Sequence, residues 1–239
     1  MDNTEPNSLE YFAGGVPTTE YFRFTLNDLS SVIDRSSSEQ GVNRLNEVCF
    51  IGLVSYFEAF CKDHFASILN IEPTLLENLA KENHDVTIDP SQVLGFGNQW
   101  RLRIGFLVAE KYDFGTAQKI NALYNALLKV TPFSKEDARR YDQILRDRNL
   151  LVHHGGTYTL SYLRQAKAPD PRGRAFFDSL VVTAEFFDEQ LSFIESIALK
   201  IMSGTHTALA RYIKDRGLEY SQERSDAVQY LLWWGDGQA

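Results

Sequence analysis

Cysteine is scarce: the chain of 239 residues carries two, Cys49 and Cys61. They lie on what reads as one helix, so no disulfide is expected between them, and two are too few for a cysteine-built zinc site. Long apolar runs are missing too. None approaches the ~20 residues that a bilayer-spanning helix needs, so a membrane is not an expected partner. The opening residues, MDNTEPNSLEYFAGG, lack a basic region followed by an apolar stretch. No secretory leader is therefore expected, and the reducing cytoplasm is the default compartment. Positive charge is in deficit, with 24 Lys and Arg against 32 Asp and Glu, a net charge of −8 and a pI near 5.2. Contact with nucleic acid must then come from a local basic patch rather than from the global field. Several chemistries are excluded by missing motifs. There is no G-x-x-x-x-G-K-[ST] loop, no G-x-S-x-G elbow and no HExxH. The segment GFGNQW has too few glycines, and no strand before it, for a dinucleotide loop. His64, His84 and His206 have no companions at metal-ligand spacing. No metal and no cofactor are expected.

Apolar material is plentiful, at 44% of residues, with 13% aromatic. That suffices for one sizeable core. From about Val42 to Leu69 apolar residues crowd more than one face, which marks a helix at the centre of a bundle or at an oligomer seam. Helices are also expected over Trp100 to Tyr112, Thr116 to Val130, Ser134 to His153, Phe176 to Met202 and Thr205 to Asp215, with a loop over Ala168 to Gly173. Thr157 to Leu160 reads as a short extended segment. The fold class is all-α, a compact helical bundle with long antiparallel helices. Residues 1–20 read as a flexible tail in which Tyr11 and Phe12 are candidates for docking. Residues 21–216 form the helical domain, and residues 217–239, ending in Trp233 and Trp234, a tail that docks on the domain or a dimer.

The informative stretch is RDRNLLVHHGG, residues 146–156. Ser134 with Asp137 gives a helix start, and Gly155-Gly156 a stop. On a helical wheel Tyr141, Ile144, Leu145, Leu151 and Val152 form an apolar stripe with Arg148 in its middle. A guanidinium there stays ionised and needs a carboxylate, a carbonyl array or an anionic ligand. The next stripe holds Asp142, Arg146, Asn149 and His153. An arginine, an amide and an imidazole suit cleavage of RNA, whose 2′-hydroxyl is an internal nucleophile. Histidine can move protons near neutral pH, and arginine can stabilise the anionic transition state. Two copies in a two-fold dimer supply both base and acid, so a homodimer is expected.

Arg148-Asn149-x-x-x-His153 resembles the R-x(4–6)-H signature of the HEPN superfamily. With LVSYFEAFCKDHF on the earlier helix, the chain looks most like its RiboL-PSP-HEPN branch. The resemblance implies an all-α dimer acting as a metal-independent endoribonuclease on an RNA substrate. It also implies toxin–antitoxin or antiviral defence biology, with an antitoxin or sensor protein as partner. Arg148 and His153 would be the catalytic pair and Asn149 the polar residue beside them, with Glu58 holding Arg148 from the earlier helix. Arg146 to His153 and Arg148 to His154 fit the same spacing, so Arg146 and His154 stand as supporting residues and the identity of the pair is open.

Plainer readings stand beside these. Arg148 can be a structural ion pair with Glu58, or can fix dimer register in an assembly domain. His153 and His154 can cap the helix C-terminus, and being about 100° apart at most one should face a site. Glu58 and Lys62 can be an ordinary i,i+4 pair. Arg139 and Arg140 can track RNA or be solvated charges, as can Arg101, Arg103, Arg172 and Arg174. The acidic balance favours a second function, a non-catalytic HEPN-type module that binds a nucleotide or a protein.

Overall fold

A computed structural model describes residues 6–36, 43–165 and 178–232. Among them there is no strand, and the one isolated bridge is antiparallel, Thr157 to Ser179. The architecture is all-α. The helices are α1 Thr18–Ser36, α2 Arg44–Ile71, α3 Leu76–Lys81, α4 Pro90–Gly95 and α5 Ile104–Ala109. They continue as α6 Ala117–Leu128, α7 Lys135–His154, α8 Leu160–Gln165, α9 Ala184–Asp215 and α10 Gln222–Tyr230. No helix among the described residues is long and apolar enough to cross a membrane.

Several boundaries differ from the sequence pattern. The expected helix over Trp100 to Tyr112 is a 3-10 stretch, Gly97–Leu102, followed by the short α5. The two expected C-terminal helices are one, because Ser203 and Gly204 continue α9. The Ala168 to Gly173 loop, Arg172, Arg174, Trp233 and Trp234 lie outside the described residues.

The described chain divides into two compact units. The first takes residues 6–24, 58–132 and 197–232. Its core is aromatic: Phe65 meets Tyr124, Tyr112 and Phe114 edge to face, and Phe60 stacks on Phe22. Each ring removed wholly from water contributes about 1.5–3 kcal/mol. Two polar side chains of this core are paired with neighbours. The Tyr124 hydroxyl donates to the Cys61 carbonyl at 2.8 Å, and His64 Nε2 lies 2.9 Å from the Thr205 hydroxyl. Of residues 6–17, part of the stretch read from sequence as a flexible tail, Tyr11, Phe12 and Pro17 are buried and 13–16 are exposed. Asn70 Nδ2 donates to the Tyr11 carbonyl at 3.0 Å. The same asparagine accepts from the Gly105 N–H at 2.8 Å. The segment after residue 217 contains α10, whose Arg224 donates to the Ile71 carbonyl at 2.6 Å and to Glu72 at 3.0 Å. The first of these bonds satisfies the last carbonyl of α2.

The second unit takes residues 25–36, 43–57, 133–165 and 178–196. Within it, α7 buries Tyr141, Ile144, Asp147, Leu150 and Leu151. Phe57 and Phe133 meet the Tyr141 ring at 5.5 and 5.3 Å, and Phe50 meets Phe186 at 5.4 Å. This buried arc is centred roughly 70° round the helix from the stripe that the sequence suggests. Leu150 belongs to it, whereas Val152 is 47% exposed and Leu145 and Arg148 are half-buried. The charged residue in the packed face is therefore Asp147, and Arg148 stands at its margin.

Candidate functional site

Helix α7 is fixed at both ends by local chemistry. Ser134 accepts from the Asp137 N–H at 3.1 Å, and Asp137 accepts from the Ser134 N–H at 2.9 Å, a reciprocal capping box. At the other end Gly155 and Gly156 take φ of 58° and 86°, the left-handed region where a Cβ is strained. Their N–H groups donate to the Leu151 and Leu150 carbonyls. The chain then turns back, and Leu180 N–H donates to the Gly156 carbonyl at 2.9 Å while Tyr158 N–H donates to the Asp178 carbonyl at 3.0 Å. This pairing sets α8 beside the last turns of α7.

Between them lies an open cavity of about 160 Å³, lined from α7 by Arg146, Asn149, Leu150, His153 and His154, and from the other side by Thr159, Ser161, Tyr162 and Gln165. The helical wheel explains the set. Arg146 and His153 are seven residues apart and differ by only about 20° in direction, with Asn149 between them. Arg148 differs from Arg146 by about 160°, and it is not among the lining residues. His153 and His154 both line the cavity, where the wheel allowed one. The helix ends at His154, the two histidines form its last turn, and the chain turns left-handed at Gly155.

The cavity wall carries a hydrogen-bonded chain that the sequence pattern did not reveal. Asp147 is 6% exposed, and its Oδ1 accepts from the Tyr162 hydroxyl at 2.6 Å and from Gln143 Nε2 at 2.7 Å. Burial pushes the Asp147 carboxyl above the ordinary carboxylate range, while the bonds from Tyr162 and Gln143 and the charge of Arg146 pull it back. Burial, then the hydrogen bond and charge of Asp147, push the Tyr162 phenol well up, so it keeps its proton. Tyr158 stacks on Tyr162 with ring centres 5.3 Å apart. The one signal in the sequence was the Gln143–Asp147 spacing of four, with Asp147 between Ile144 and Leu151 on the helix face.

The other expected residues are elsewhere. Glu58 is half-buried on α2, where its charge adds to burial in raising the Cys61 thiol. Arg139 is exposed. Arg140 is exposed as well but engaged: it donates to the Glu189 carbonyl at 2.8 Å and lies 4.5 Å from the Phe193 ring centre. Glu185, Asp188 and Glu189 line the same groove as Arg140, a setting poorly suited to a polyanion. No group of three His, Cys, Asp or Glu that could hold a metal occurs among the described residues. Comparison with protein-family models, curated proteins and solved structures returns no significant match to this chain.

Proposed function

We propose that this protein is an endoribonuclease of the HEPN type, cutting RNA without a metal through the ribose 2′-hydroxyl. The observation that carries the reading is the cavity in which Arg146, Asn149, His153 and His154 come together. One imidazole takes the 2′-hydroxyl proton as that oxygen attacks phosphorus. The other, protonated, gives its proton to the departing 5′-oxygen. Arg146 offers N–H groups to the non-bridging oxygens as negative charge builds on them, and Asn149 orients the phosphate. The products are a 2′,3′-cyclic phosphate and a 5′-hydroxyl. Because two histidines line one cavity, acid and base need not come from different subunits. A homodimer, and an antitoxin or sensor partner, belong to the proposal through the resemblance of RNLLVHH to the HEPN signature.

The arginine assignment is the point to test. Arg148 occupies the place of the signature arginine, yet Arg146 shares the cavity with the histidines. Cleavage of a labelled single-stranded RNA in excess chelator should fall roughly 10²–10³-fold in kcat/KM for Arg146→Ala. It should fall by at least about 10²-fold for His153→Ala. Arg148→Ala should lose less than about tenfold, as a residue outside the cavity. The opposite order for the two arginines would return the phosphate-binding role to Arg148.

The net charge of −8 favours one alternative, a non-catalytic module that binds a nucleotide in the same cavity. It predicts a raised Tm with a nucleotide and no turnover of RNA.

A further inference from the structure

The Arg146 guanidinium is held along one edge. Its Nε at 3.2 Å and its Nη2 at 2.8 Å both donate to Gln143 Oε1. The other end of that amide donates from Nε2 to Asp147 Oδ1 at 2.7 Å and to the Tyr162 hydroxyl at 3.2 Å. Chemistry fixes this orientation, since Arg146 can only donate and an ionised Asp147 can only accept. An arginine carries five N–H donors, so the Nε/Nη2 edge is occupied and three hydrogens on the Nη1/Nη2 edge are unused by Gln143. That edge presents two parallel N–H groups and can grip a phosphate in a bidentate fashion. The amide also separates two charges. A direct ion pair with Asp147 would offset more of the cation, whereas a neutral amide aligns Arg146 and holds the two charges apart, so that Asp147 offsets it only in part.

We infer that Gln143 is the positioning residue of the site: anchored by Asp147 and Tyr162, it turns the outer edge of Arg146 toward the substrate phosphate and keeps that arginine out of a direct ion pair with Asp147. The inference rests on the nuclease reading for its substrate, but it makes a claim of its own about anion binding. The charged and titratable groups around position 143 are Arg139, Arg140, Asp142, Arg146 and Asp147 on α7, with Tyr162 from α8 and Tyr158 stacked on it.

Two variants test it. Gln143→Met keeps the volume and removes every hydrogen bond. Gln143→Glu offers an acceptor to Arg146 in both forms, but only when protonated can it also donate to Asp147 as the amide does. Cleavage and the affinity for a fully 2′-O-methylated RNA, which has the phosphates but no nucleophile, are measured at pH 8 and pH 5. Thermal melting reports folding. Gln143→Met should lose about 10–100-fold in kcat/KM at both pH values, the scale of a displaced catalytic group. It should also bind the methylated RNA more weakly. Gln143→Glu should be similarly impaired at pH 8 and recover at least about tenfold relative to wild type at pH 5, as one proton is shared between the two carboxyls. A folded Gln143→Glu that is equally impaired at both pH values reflects a merely structural role and overturns the inference. So does wild-type behaviour of both Gln143 variants alongside an impaired Arg146→Met, and the nuclease reading then survives. Wild-type protein that binds the methylated RNA but cuts nothing overturns the nuclease reading instead, and the inference is then decided by whether Gln143→Met weakens that binding. Wild-type protein that neither cuts nor binds overturns both.

Discussion

The His64 imidazole is wholly buried, 5.5 Å from the Phe60 ring and 6.4 Å from that of Tyr124. The Thr205 hydroxyl already donates to the Ile201 carbonyl at 2.7 Å, so it accepts from His64 and the proton sits on Nε2. Burial holds this histidine down at about 3, against an ordinary 6.5. Below pH 6.5 the unfolded chain takes a proton that the folded chain refuses. The stability tied to His64 is therefore complete above 6.5 and lost as pH falls toward 3, by up to about 1.4 kcal/mol per pH unit. Urea unfolding at pH 7 and pH 5 should show a smaller loss for His64→Gln than for wild type, by roughly 2 kcal/mol. An equal loss would mean that the ring is reached by solvent protons. From sequence His64 carried no role, and it has none at the cavity; only burial distinguishes it from His153 and His154, and burial is set by the packing of distant segments.

At the level of elements, two substitutions test why the chain folds as it does. Ser134→Ala removes half of the capping box at the start of α7 and should cost about 1 kcal/mol in urea melts, as helix caps do. In α5, a Cβ built on Gly105 would stand 2.0 Å from the Ala66 carbonyl oxygen, so the helix can lie against α2 only through that glycine. Gly105→Ala must displace backbone and should cost about 2–3 kcal/mol, a typical overpacking penalty. No change in its Tm would contradict the close approach. The periodicity of α2, α6 and α7 was legible because long helices repeat their pattern over many turns. The rotation of α7 was not. Its wheel holds apolar residues over a wide arc, and the choice between an arc centred on Arg148 and one centred on Asp147 is made by Phe57 and Phe133 from other segments. The polar stripe of Arg146, Asn149 and His153 was legible from spacing alone. Gln143 and Tyr162 were not, since their roles depend on how α8 returns.

For the whole molecule the acidic balance sets the terms. With a net charge of −8 there is no general positive field to draw in RNA, so the proposed function requires its affinity to come from a few contacts at the cavity. The plot of log affinity against log salt should be shallow, with a slope of about −1.5 to −2, matching two or three neutralised phosphates on a single strand. A slope near −5 would place the RNA on a basic surface that this account does not use. The central claim is that a cavity lined by two imidazoles and an arginine runs 2′-hydroxyl chemistry. Analysis of the termini left on RNA digested in excess chelator tests it most directly. The account predicts 2′,3′-cyclic phosphate and 5′-hydroxyl ends that disappear with His153→Ala, and 5′-phosphate ends, or unchanged cutting by that variant, would contradict it.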